Sequence, residues 1–111
     1  MLDSLVGRMG QMRQQNYRHK KSGWRFDQLT DLKVVEHIAA EVIELAAAVT
    51  EMNVVVQLTS IPGGRPDKKI NIIEEIADVR NTLAHLMSRL EITEDEVLNE
   101  AHRKLDLRFE P

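Results

Sequence analysis

The chain has 111 residues, no cysteine, 42% hydrophobic and 30% charged positions, and four aromatic residues: Tyr17, Trp24, Phe26 and Phe109. That length fits a single domain spanning 1–111, buries only about two-thirds of its unfolded surface, and favours a marginal monomer or an oligomer. Zero Cys excludes disulfides, thiolate nucleophiles and cysteine-ligated zinc, a formal net charge of −3 advertises no nucleic acid or membrane partner, and the short apolar runs suit a soluble, cytoplasmic, helical protein.

Asp3 is a candidate cap for a first helix that carries Leu5, Val6, Met9 and Met12 on one side and runs to about Arg18. Lys20 to Asp27, which includes Lys21, Gly23, Trp24 and Arg25, reads as a loop. From Thr30 to about Val56, apolar residues recur at Val35, Ile38, Val42, Leu45, Val49, Met52 and Val56, with alanines 39, 46, 47 and 48 thickening that side. Steps alternating three and four make a helical seam. Ile61-Pro62-Gly63-Gly64-Arg65-Pro66 reads as a non-helical, mobile connection. A second long helix is expected from about Asn71 to Leu90, with Ile72, Ile76, Val79, Leu83, Leu86 and Leu90 on its seam. Thr93 followed by Glu96 forms a capping box and opens a last helix through Val97, Leu98, Ala101 and Leu105. The fold class is all-α, a bundle of four helices.

Acidic residues three apart share one helix face, and three such pairs occur: Glu41/Glu44, Glu75/Asp78 and Glu91/Glu94. Random placement of eighteen acids among 111 positions yields about three, so the number decides nothing and placement must. Glu91/Glu94 straddles a helix start, where negative charge complements the macrodipole. The other two pairs lie within the long helices. With Val42 and Ile76 as heptad position a, Glu41 and Glu75 fall at g, and Glu44 and Asp78 at c. Each pair flanks its stripe on the same side, so antiparallel packing brings four carboxylates to one groove. A cation between them would relieve the repulsion, and hard oxygen ligands suit Mg²⁺ or Mn²⁺. The competing reading puts both pairs on solvated helix faces. Against it, the basic residues nearest in sequence to Glu41 and Glu44 are Lys33 and Arg65, whereas a surface helix normally intersperses opposite charges.

Ala40-Glu41-Val42-Ile43-Glu44-Leu45 followed by Glu74-Glu75-Ile76-Ala77-Asp78-Val79 resembles the paired signature of MazG-like, all-α nucleoside triphosphate pyrophosphohydrolases, Glu-Glu-x-x-Glu on one helix and Glu-x-x-Asp on the next. The similarity runs from Gly23-Trp24 to Lys104 and Arg108. It implies cleavage of a (deoxy)nucleoside triphosphate to the monophosphate and pyrophosphate. It also implies Mg²⁺ held by Glu41, Glu44, Glu75 and Asp78, and a bundle completed by pairing into a homodimer or homotetramer. Ala40 stands where the family motif has its first glutamate, and the stretch between Glu44 and Glu75 is slightly long for the family.

The chemistry is coherent on its own grounds, because carboxylate-held metals activate water and neutralise a leaving pyrophosphate. Lys104 and Arg108, four apart on the last helix, are candidates to clamp phosphates, or else serve as a solvated or dipole-compensating pair. Trp24 can stack on a base or plug a gap between helices. Lys21, with Lys20 and Arg25, can reach phosphate or simply solvate its loop. Asn81, one turn after Asp78, is a candidate ligand contact. His37, one turn before Glu41, reads as a border residue, and His85 and His102 carry no pattern. Two rivals remain. One is a phosphoribosyl-ATP pyrophosphohydrolase, which shares the acidic helix pair; the other is a non-catalytic helical dimerisation or adaptor module, with Ala40 as the trace of lost catalysis.

Overall fold

Local capping and turn chemistry decide where each helix starts and stops. The computed structural model describes residues 4–14, 17–59 and 66–110. Among the described residues the chain forms four α-helices, and its strand pairing is limited to one antiparallel bridge between Arg18 and Arg25. The all-α, four-helix expectation therefore holds. No helix among the described residues is long and apolar enough to cross a membrane.

Helix α1 spans Leu5–Gln14. Asp3 lies outside the described residues. The capping role is filled by Ser4, whose Oγ accepts the Gly7 N–H at 3.0 Å. The expected extension to Arg18 does not occur, because Arg18 pairs with Arg25 and a 3-10 turn, Phe26–Gln28, follows. Helix α2 spans Asp31–Thr59, and the Thr30 Oγ1 accepts the Lys33 N–H at 3.1 Å.

Helix α3 spans Pro66–Arg89, five residues longer at its start than the periodicity from Asn71 implies. Pro66, expected in the connection, is instead the first helical residue. There its preset φ is already helical and its missing N–H would have had no partner. Residues 60–65 of the connection lie outside the described residues. The end of α3 is a Schellman motif: Ile92 N–H donates to Met87 O at 2.9 Å and Glu91 N–H to Ser88 O at 3.3 Å. Glu91 takes the left-handed position, φ 57°, where glycine is usual. Helix α4 spans Glu94–Arg108, and Thr93 with Glu96 closes the expected capping box.

The chain divides into two compact units, Leu29–Leu83 and the combination of Met1–Gln28 with Ala84–Pro111. In the second, Met9 of α1 and Ala84 and His85 of α3 are buried. There α1 approaches α3 closely at Gly10, where a Cβ would meet Ser88 Oγ at 2.8 Å. In the first unit α2 and α3 run antiparallel. Glu51, late on α2, pairs with Lys68, early on α3, while the earlier Glu41 and Glu44 meet the later Glu75 and Asp78.

The buried seam of this helix pair is turned by one residue from the expected one. Among the described residues of this pair the covered side chains include Val34, Ile38, Glu41, Leu45, Ala48 and Met52 on α2, with His37 at the edge, and Lys68, Ile72, Glu75, Val79 and Thr82 on α3, with Asn71 at the edge. Val35, Val42, Val49, Ile76 and Leu83, all expected inside, are 41–47% exposed. The Val56 side chain lies outside the described residues. In heptad positions, d and g are inward and a is outward on both helices. The physical reason is that both helices are apolar over more than one stripe. Small or β-branched residues, Val34 and Ala48 among them, allow close approach on the g side. Glu41 and Glu75 thus sit within the seam rather than beside it.

Candidate metal centre

Four carboxylates converge where α2 and α3 cross. Glu41, Glu44, Glu75 and Asp78 each present one oxygen, and these oxygens all lie within 4.8 Å of one another. Glu41 and Glu75 are half-buried and Glu44 and Asp78 exposed, as follows from g positions inside the seam and c positions at its edge. The Oε2 atoms of Glu41 and of Glu75 are shielded from solvent and have no hydrogen-bond partner. Buried polar atoms are almost always satisfied, so two orphaned carboxylate oxygens facing like charges point to a missing positive partner.

The electrostatics agree. Burial, then the charge and hydrogen bond of Glu44 and the charges of Asp78 and Glu75, push the Glu41 carboxyl up to about 7. Burial, followed by the charges of Glu44 and Asp78, also raises Glu75. A divalent cation reverses that balance by stabilising the ionised forms. The donor set fits such an ion, being all oxygen with no nitrogen or sulfur.

The remaining sequence candidates fall in several places. Asn81 is exposed on α3, one turn beyond Asp78, and His37 is half-buried on α2 one turn before Glu41. Ala40 is exposed, off the seam. Trp24 and Lys21 share a cavity of about 640 Å³ with Tyr17, Arg18, Lys20 and His19. The Trp24 ring stacks on that of His19 at a centroid distance of 5.1 Å and an interplanar angle of 16°. Lys104 and Arg108 are exposed on α4, which buries no residue. Lys104 is one of the cations that hold Glu100 below the usual carboxylate range, after the hydrogen bond from Arg103. His19 is the residue that sequence reasoning passed over. Its neighbours Trp24 and Ser22 meet it through a turn, which leaves no periodic signal.

A family model described as phosphoribosyl-ATP pyrophosphohydrolase matches residues 8–105. Neither the curated proteins nor the solved structures searched contain a match to the chain. The matched family is one member of the MazG-like all-α NTP pyrophosphatase superfamily, so the resemblance noted above stands at superfamily level and not for the MazG family itself. With residues 8–105 matched, the chain belongs to the phosphoribosyl-ATP pyrophosphohydrolase family.

Proposed function

We propose that this protein is a Mg²⁺-dependent pyrophosphohydrolase that cleaves a (deoxy)nucleoside triphosphate between its α- and β-phosphates, giving the monophosphate and pyrophosphate. The observation that carries the reading is the four-carboxylate group on α2 and α3, with two buried oxygens lacking any partner. Glu41, Glu44, Glu75 and Asp78 would hold the ion, with Mn²⁺ as an alternative. When bound there, Mg²⁺ supplies Lewis acidity and neutralises charge on the phosphates. The chain's own groups do the rest. Glu41, pushed up to about 7 by burial and the neighbouring carboxylates, can keep or release a proton near neutral pH, and Glu75 is raised in the same direction. Lys104 and Arg108 clamp the outer phosphates, Lys21 adds a further positive contact, and Trp24 stacks on the base. Asn81 donates to the substrate from the same helix as Asp78.

A second substrate is favoured by a specific observation, the family match over residues 8–105. In that reading the same groups cleave phosphoribosyl-ATP at the equivalent bond. Individual dNTPs and phosphoribosyl-ATP, each incubated with Mg²⁺ and resolved by chromatography, separate the two. The dNTP reading expects monophosphate and pyrophosphate from a dNTP faster than turnover of phosphoribosyl-ATP, and the opposite ranking selects the second substrate. Diphosphate plus phosphate would overturn both. No turnover, together with a melting temperature that ignores Mg²⁺ and a non-hydrolysable nucleotide, selects the adaptor reading. Glu75→Ala or Asp78→Ala should abolish the metal-dependent reaction, and a fully active variant would remove these residues from the site.

We also infer a homo-oligomer, dimer or tetramer. The support is the outward a stripe of Val35, Val42 and Val49 on α2 and Ile76 and Leu83 on α3, an apolar surface of the kind a second copy covers.

A further inference from the structure

The loop from Tyr17 to Trp24 is organised around one side chain. His19 Nδ1 lies 3.3 Å from the Lys21 N, 3.2 Å from the Ser22 N and 3.0 Å from the Ser22 Oγ. Backbone N–H groups only donate, so Nδ1 is an acceptor and the ring proton of the neutral imidazole resides on Nε2. The backbone of the same residue closes the turn from the other side: His19 N–H donates to Trp24 O at 2.7 Å, and Gly23 N–H donates to His19 O at 3.0 Å. Gly23 has φ +76°, a left-handed conformation that lets the chain double back and lay Trp24 on the imidazole. The result is a cavity wall made of an indole, backed by His19 and flanked by Arg18, Lys20 and Lys21, with Met12 contributed by α1.

We propose that His19 is a positioning residue for nucleotide binding: its Nδ1 closes the turn and its ring fixes the Trp24 indole as the face on which a base stacks. This rests on the reading that Trp24 contacts the nucleotide, and adds what holds it there. A loop with three cations, Arg18, Lys20 and Lys21, would otherwise sample many conformations. The ordering entropy would then be paid on binding and would appear in KM. A residue that positions the base-stacking face and has no role at the phosphates acts on KM and leaves kcat alone.

Trp24 is the sole tryptophan, so tryptophan emission reports the surroundings of this one indole. Three variants divide the two roles. His19→Ala removes acceptor and stack, His19→Phe keeps only the ring, and His19→Asn keeps an acceptor at the Nδ1 position. Without ligand, His19→Ala should shift Trp24 emission to the red, towards a solvated indole, with the circular-dichroism melt unchanged. The KM of the best nucleotide should rise about tenfold, the scale of one aromatic–base stack, while kcat stays within about twofold. His19→Asn should recover part of the KM through the turn, and His19→Phe part of the ligand-free emission. A His19→Ala protein with wild-type emission and KM overturns the proposal, as does one in which kcat and melting temperature fall together. If His19→Ala shifts the ligand-free emission but no dNTP or ATP changes that of the wild type, Trp24 is not a base contact; that outcome removes the underlying reading and the proposal with it.

Discussion

Glu41 occupies a position in the α2 seam that Val34 and Ala48 fill two turns away on either side, yet it carries a carboxylate with a buried, unpartnered oxygen. A carboxyl raised in the folded state to about 7 from its ordinary 4.5 makes stability depend on pH. Between those values the folded protein binds more protons than the unfolded chain, so stability is fully present below about 4.5 and is lost as pH rises through about 7. Glu75, raised in the same direction, adds to the effect. The metal-free melting temperature should therefore fall between pH 5 and pH 7.5. Glu41→Gln should flatten that slope and raise the metal-free melting temperature at pH 7.5, while abolishing any increase on adding Mg²⁺. A wild-type melt that is flat across this range in EDTA would refute the buried-charge account.

Helix ends show the same economy of local causes. At Glu91 a β-carbon is forced into the left-handed region, and a negative charge stands just beyond the carbonyl end of α3. Both are unfavourable, the first by about 1–2 kcal/mol for a non-glycine residue and the second by a few tenths. Glu91→Gly relieves both and gives back about 0.5–1 kcal/mol as unfolded-chain entropy. The expected result of chemical denaturation is a net gain of about 0.5–1 kcal/mol with an unchanged m-value, and a loss of stability would contradict the cap assignment.

These elements also show what can be read from a one-dimensional pattern. Thr93 with Glu96, and Ile38, Leu45, Ile72 and Val79 on the inner face, were all visible, because caps and heptad d positions are set by neighbours within a turn or two. The convergence of Glu41, Glu44, Glu75 and Asp78 was visible too, since antiparallel packing carries g to g. Which of two apolar stripes faces inward was not, because Val34 and Val35 are equal in hydropathy and only the partner helix chooses between them. Pro66 as a helix start was hidden by its Pro-Gly-Gly neighbourhood, and the end of α1 at Gln14 by a loop whose anchor is the ring of His19.

For the whole molecule, the buried hydrophobic side chains among the described residues are Met9, Val34, Ala48 and Ala84, while α4 buries nothing. A 12.7 kDa chain buries a smaller fraction of its surface by itself than a larger one does, and gains from further apolar contact. The outward a stripe is where that contact forms in the homo-oligomer reading. Analytical ultracentrifugation should give a dimer or tetramer mass for the wild type. Val49→Asp, away from the carboxylates, should lower that mass and the concentration dependence of the melting temperature. Sedimentation of the wild type at the monomer mass would end this reading.

All four carboxylates belong to one antiparallel helix pair within Leu29–Leu83, and this has a kinetic consequence. Contacts between consecutive helices close early, because little chain must be looped to make them. The four-carboxylate group is then complete as soon as α2 meets α3, whatever the chain's two ends are doing. That first encounter is also where four like charges collide. In the metal-binding reading, a divalent cation held by these residues would offset that repulsion as the hairpin closes.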